Sequence, residues 1–322
     1  MEKFFQRISY KGKLEDIGVA VAERYGFGDS LFCKLVPAGY EDFNFVLETT
    51  KDKHFVKVFA NFRTKQQCLR YIEVMVRAEN EGVSIPKLLQ ADREYFYSVI
   101  VNDSPLRLCV MQYIDGDTYY DLKRKPNAKE IQSLAQQAAR INSIDLKPKF
   151  EYDSWAIVNF LNEFQHKSRS LRQEERELVE PLVEEYKKID FEKLPQAFVH
   201  GDLIATNVIK DKDNRDWMID FAVANTYPRI QEIAVLASNL LFDERSKERS
   251  TANLELALRE YQATIKLTPE ELNALPGYIK LAHGMHVLAA GYEKMAQSNS
   301  SEENEYWLNQ GTIGLTQTLK RF

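Results

Sequence analysis

The chain has 322 residues, 44% of them apolar and 28% charged, an ordinary globular composition with length enough for more than one core. A net charge of −5 offers no overall basic surface of the kind nucleic acid selects, and no apolar run is long enough to cross a bilayer. The first residues lack a secretory apolar core, and the three cysteines, Cys33, Cys68 and Cys109, stand apart from one another, so a cytoplasmic protein with reduced thiols is expected, with neither nucleic-acid nor membrane partners.

In chain order, β-branched and aromatic runs at residues 31–36, 43–48 and 54–59 predict three strands, the last two joined as a hairpin through residues 49–53. Residues 64–80 predict a helix that stops before Gly82 and Pro86. Two further strands, 95–101 and 106–114, flank the turn signal Asn102-Asp103-Ser104-Pro105. Beyond Gly116 the texture turns helical. Ile131, Leu134, Ala135, Ala138 and Ile141 share one face of a helix over 128–141. The charge-dense stretch 172–189 predicts a solvated helix. Thr268-Pro269-Glu270-Glu271 is a capping box, and helices follow over 278–297 and 302–320. One strand-forming region interrupts this half, at 197–199, 208–210 and 217–219. The sum is an α+β protein of two lobes, the first built on a small antiparallel sheet and the second mainly helical.

The chemistry concentrates in that interruption. His200-Gly201-Asp202-Leu203-Ile204-Ala205-Thr206-Asn207 joins two strands, and Ile219-Asp220-Phe221 ends a third. Phosphoryl transfer requires a group that orients a hydroxyl and takes its proton, together with hard oxygen ligands that hold magnesium against nucleotide phosphates. Asp202, Asn207 and Asp220 are the right residue types on adjoining loops. The pattern His-Gly-Asp, an Asn five residues after the Asp, and then Ile-Asp-Phe resembles the aminoglycoside phosphotransferase and choline kinase superfamily, small-molecule kinases of protein-kinase-like fold.

That resemblance implies Asp202 as catalytic base, Asn207 and Asp220 as magnesium ligands, and His200 and Gly201 as shapers of the loop. It implies a nucleotide-binding lobe over residues 1–112, with an N-terminal helix, the sheet and one further helix. A helical lobe over 113–322 would then carry the catalytic loop, the metal loop and the acceptor site. Lys57, inside the third strand, resembles the lysine that contacts nucleotide phosphates, and its helix partner would be Glu73 or, alternatively, Glu79. Gly39 and Asn44 resemble the short nucleotide-positioning loop, while Met111 and Tyr113 belong to the stretch expected to meet the base, ahead of Gly116. Ala222 stands where many relatives have glycine, and Asn142 where many have histidine.

The expected reaction moves the γ-phosphate of ATP, with GTP left open and Mg²⁺ as cofactor, to a hydroxyl of a small molecule. An aminoglycoside, an amino alcohol, homoserine or a sugar-like compound would serve as acceptor. Tyr119, Asn225, Tyr227, His283 and His286 are conceivable acceptor contacts, and Arg229 is either an anion contact or a local structural cation. The alternatives are a Ser/Thr protein kinase of the same fold and a nucleotide-binding regulator without turnover.

Overall fold

The computed structural model describes residues 2–37 and 41–319. The chain divides into two compact units, Met1–Gly116 and Asp117–Phe322. In the first, helices α1 (Glu2–Arg7) and α2 (Leu14–Tyr25) precede strands β1 (Ser30–Val36), β2 (Phe43–Thr49) and β3 (Lys53–Val58). Helix α3 (Lys65–Asn80) follows, then β4 (Leu88–Leu89), β5 (Tyr97–Val101) and β6 (Ser104–Gln112). These strands form one six-stranded sheet in the order β1-β2-β3-β6-β4, with β5 also on β6. Every pairing in it is antiparallel.

Period-two patterning explains the sheet. Phe43, Phe45 and Leu47 of β2 are buried and alternate with half-buried Asn44, Val46 and Glu48. The buried set packs with Val56, Val58, Leu106, Leu108 and Val110, and with Ile17 and Val21 of α2. Two helices precede the sheet where the sequence suggested one. Strand β4 is only a two-residue element, too short to leave a pattern. Helix α3 begins as expected: Thr64 Oγ1 accepts the Gln67 N–H at 3.2 Å, and Gln67 Oε1 accepts the Thr64 N–H at 2.7 Å. Cys33, Cys68 and Cys109 are all buried within this unit.

The second unit takes up β7 (Gly116–Thr118), α4 (Tyr119–Leu122), α5 (Ala128–Asn142), α6 (Phe160–Lys167), α7 (Gln173–Val179) and α8 (Leu182–Lys187). Four short strands come next: β8 (Gln196–Val199), β9 (Val208–Asp211), β10 (Asp216–Met218) and β11 (Asn225–Pro228). Helices α9 (Ile230–Ser238), α10 (Lys247–Thr264), α11 (Pro269–Ala296) and α12 (Glu302–Leu319) complete it. The strand region expected as one piece is two ribbons, because β8 pairs with β11 while β9 lies between β10 and β7. The polar run Asn-Thr-Tyr-Pro of β11 carries no apolar alternation, which is why the sequence did not announce it. The charged stretch 172–189 is broken at Pro181, which has no N–H to continue the ladder of α7.

Helix α11 is the spine of this unit. It starts at the Thr268 capping box, eight residues after which Pro276 sits inside the helix without ending it. Every residue from Leu281 to Gly291 is buried, so the helix is enclosed on all sides. Helix α12 approaches it through small residues. A Cβ on Gly314 would lie 2.1 Å from His283 Nδ1, and one on Gly311 would lie 2.7 Å from the His283 carbonyl oxygen. Replacing Gly314 with alanine therefore displaces the buried His283 ring or the helix that carries it. Gly314→Ala is expected to destabilise the second unit by about 2 kcal/mol, the usual range for overpacking a tight core. Urea unfolding followed by far-UV circular dichroism measures it, and an unchanged midpoint would refute the close approach.

Candidate active site

Antiparallel pairing brings the chemical loops together. In one ribbon Val208 is opposite Met218, and in the other Val199 is opposite Asn225. The loop over residues 200–207 and the loop over 219–224 therefore leave the same end of the two ribbons. Hydrogen bonds lock one loop to the other. The Ile219 N–H donates to the Asn207 carbonyl at 2.9 Å, and the His200 ring bonds the Ile219 carbonyl through Nε2 at 3.1 Å. Asp220, the next residue, has φ of 62° and Gly201 has φ of 83°. Aspartate is among the few residues that tolerate this left-handed region, whereas glycine enters it without a Cβ clash.

The histidine is structural. Its Nδ1 accepts the Asp202 backbone N–H at 3.2 Å, so the proton resides on Nε2, which donates to Ile219. Complete burial lowers its pKa to about 4 and keeps the ring neutral. Behind it, Glu232 of α9 accepts the His200 backbone N–H at 2.8 Å. Burial raises the Glu232 carboxyl to about 8. Asn239, also buried, accepts the Ala205 N–H at 2.9 Å and donates to Gln310 of α12 at 2.9 Å. The loop is thus held along its length by buried polar side chains from α9 and the residue that follows it.

At the loop's centre Asn207 Nδ2 donates to both the Asp202 carbonyl, at 2.9 Å, and the Asp202 carboxylate, at 2.6 Å. Burial, followed by the charges of Asp153 and Asp220, raises the Asp202 carboxyl to about 7; Glu303 acts in the same direction, and the Asn207 hydrogen bond opposes them. Asp153 is 7% exposed. Its segment is gripped by Asn225, which donates to the Glu151 carbonyl at 2.8 Å and accepts the Glu151 N–H at 3.2 Å.

The donor set fits a hard cation. The Asn207 amide commits its nitrogen to Asp202 and leaves Oδ1 as an oxygen donor, while the carboxylates of Asp153 and Asp220 press on Asp202 with like charge that a divalent ion would relieve. Among the described residues no cluster of three or more His, Cys, Asp or Glu side chains forms a metal cage. Two protein ligands beside substrate phosphates is the usual arrangement for magnesium.

In the first unit Lys57 is 3% exposed and its Nζ lies 3.1 Å from Asp42 Oδ2. Asn44 is its cross-strand neighbour, with Oδ1 buried and without a hydrogen-bond partner among the described residues. The helix partner anticipated from sequence is not there. Glu73 is exposed, and Glu79 lies 3.9 Å from Lys87. The reason is the rotation of α3, which turns Tyr71 toward the lysine, its ring centroid 5.1 Å from Nζ. Met111 is buried, its sulfur 3.9 Å from the Tyr71 hydroxyl, and Tyr113 is half-buried just beyond β6. Gly39 lies outside the described residues.

The conceivable acceptor contacts have structural work instead. Tyr119 donates to Asp216 at 2.8 Å, and Tyr227 accepts from Asn225 at 3.0 Å. Arg229 makes a paired contact with Glu271, at 2.7 and 2.8 Å, which ties α9 to the start of α11. Asn142 joins the Phe198 carbonyl, at 2.9 Å, to the Tyr261 hydroxyl, at 2.8 Å. His283 and His286 are buried in α11, one against Phe242 and the other stacked on Trp307. Asp42, Asp153 and Glu232 were missed. Glu232 had a sequence signal, a carboxylate at the head of an apolar helix; Asp42 and Asp153 had none.

Comparison with known proteins gives the family and fold of the chain. The model of the phosphotransferase enzyme family matches residues 33–266. A homoserine kinase of Agrobacterium fabrum is 24% identical over 262 residues, covering 79% of this chain and 77% of that protein. A homoserine kinase of Burkholderia lata is 24% identical over 270 residues, covering 77% and 76%. Among solved structures, a microcompartment-associated aminopropanol kinase superposes with a TM-score of 0.73 at 14% identity, over 94% of this chain and 96% of that one. Spectinomycin phosphotransferase in complex with ADP and spectinomycin gives 0.69 at 10% identity, over 97% and 100%. The fold is that of the protein-kinase-like small-molecule kinases. The chain belongs to the phosphotransferase enzyme family and is a phosphotransferase with an alcohol group as acceptor. No described helix is long and apolar enough to cross a membrane.

The two histidines of α11 carry a pH signature. Burial lowers His283 to about 3 and His286 to about 4, with Lys125 pressing the same way on both. Unfolding returns each to its ordinary value, so the unfolded chain binds more protons from about pH 6.5 downward. Stability therefore falls as pH drops from about 6.5 to 4, by up to about 1.4 kcal/mol per pH unit for each histidine. Urea unfolding at several pH values should show a shallower slope in His286→Asn than in the unmodified protein. Equal slopes would refute the neutral buried state.

Proposed function

We propose that this member of the phosphotransferase enzyme family is an ATP- and magnesium-dependent kinase that phosphorylates a hydroxyl of a small metabolite bearing an ammonium group. The observation that carries the reading is the Asn207 amide fixing the Asp202 carboxylate at 2.6 Å on the loop that hydrogen-bonds to the Asp220 loop. Asp202 acts as the base. Its carboxylate, held by the Asn207 amide, is placed to take the proton of an acceptor hydroxyl. Asn207 and Asp220 would hold the magnesium, which when bound neutralises charge on the transferred phosphoryl group. Lys57 and Asn44 of the first unit supply the phosphate contacts, and the second unit supplies the transfer chemistry and the acceptor site.

The acceptor's charge is inferred from the field at Asp202. Asp153 and Glu303, neither of them assigned to the magnesium, act on it with negative sign, which favours an acceptor bearing an ammonium group. Homoserine and short amino alcohols have both the ammonium and the hydroxyl, and relatives of both kinds appear among the similar proteins. Asparagine at position 202 keeps the shape and removes the base. Asp202→Asn should lower kcat by roughly 10²- to 10⁴-fold while magnesium-ATP still binds. Asp220→Ala should weaken magnesium-dependent nucleotide binding as well. The test is coupled ADP release with homoserine, amino alcohols, aminoglycosides and neutral sugars. Stimulation by an amine-bearing acceptor supports the reading. Stimulation by neutral sugars alone, or full turnover in Asp202→Asn, would overturn it.

A further inference from the structure

We propose that Asp42 is the positioning residue for Lys57, in the place that kinase-like folds give to a glutamate of the following helix. The inference rests on the nucleotide-binding reading above and concerns how the lysine is held ready for phosphate.

The geometry is specific. Asp42 directs one carboxylate oxygen to Lys57 Nζ at 3.1 Å. The other accepts the Ala60 backbone N–H at 3.0 Å and Arg63 Nε at 2.8 Å. Both side chains of the Lys57–Asp42 pair are only 4% exposed. The Asp42 backbone is fixed as well, since Arg7 Nη1 donates to its carbonyl at 3.0 Å. Glu41, next in the chain, takes the far end of the Arg63 guanidinium. Burial alone would raise the Asp42 carboxyl, but Lys57, Arg63 and the Ala60 amide bring it down to about 2. The acid is therefore ionised throughout the working pH range.

Two physical demands meet in this one carboxylate. A buried lysine without a counter-ion tends to lose its proton, and a neutral amine cannot attract phosphate. A four-carbon side chain also needs a partner to fix its rotamer, or its entropy must be lost on binding. Asp42 answers both. On α3, Tyr71 supports Nζ with its ring face at 5.1 Å, an additional cation contact that leaves no role for Glu73.

The test is a double-substitution cycle read as magnesium-ATP affinity by titration calorimetry. Asp42→Asn and Lys57→Met should each weaken binding about tenfold or more. The double variant should bind no more weakly than Lys57→Met alone, because Asp42 acts through the lysine. Asp42→Glu, which keeps the charge and moves it by one methylene, should recover part of the loss. Glu73→Gln should bind within about twofold of the unmodified protein. If Asp42→Asn does not fold, Asp42→Glu replaces it in the cycle, where a loss that vanishes on the Lys57→Met background gives the same support. Losses that multiply in the double variant, or a Glu73→Gln defect matching that at Asp42, would overturn the assignment. An unmodified protein that binds no nucleotide would overturn the kinase reading itself, and this role with it.

Discussion

The candidate site depends on strand register in two short ribbons. Val208 opposite Met218 and Val199 opposite Asn225 fix where two loops leave the sheet, and the loops then cross-bond through Ile219 and Asn207. A shift of one residue in either pairing would turn the ribbon's side chains to the other face and carry the loop residues with them. Ribbons this small have little apolar area to define their register. The burial of Val199, Val208, Trp217 and Met218 contributes, and the loop hydrogen bonds supply the rest.

Around that constraint the protein places buried polar groups, which is an expensive choice unless each is paired. His200 spends both ring nitrogens on backbone groups of the two loops. Glu232 and Asn239 reach up from beneath, and Asn225 secures the segment that carries Asp153. These residues orient without reacting. Their hydrogen bonds leave Asp202 with one fixed orientation, and the surrounding carboxylates keep its proton affinity high. The same logic operates in the first unit, where the Asp42 carboxylate gathers Lys57, Arg63 and the Ala60 backbone amide around itself.

Helix α11 shows how scaffold and site are coupled within the second unit. Enclosed from Leu281 to Gly291, it receives α12 at glycine contacts, and α12 carries Gln310, which supports Asn239 and through it the loop at Ala205. Arg229 joins the other end of α11 to the head of α9. A few named hydrogen bonds thereby join the helical body to the loop over 200–207.

The sequence by itself determined the local elements and the candidate reacting groups. A β-branched and aromatic run specified β2, the Thr268 box specified a helix start, and the spacing from His200 to Phe221 singled out Asp202, Asn207 and Asp220, because composition, capping and loop chemistry are written in neighbouring residues. Partners distant in the chain were decided only by tertiary structure. Nothing local links Asp42 to Lys57, Asp153 to Asp202 or Glu232 to His200, and the rotation of α3 that turns Tyr71 inward and Glu73 outward is set by packing. Short polar elements such as β11 were hidden for the same reason: their stability comes from the strand they meet, and a single sequence does not say which strand that is.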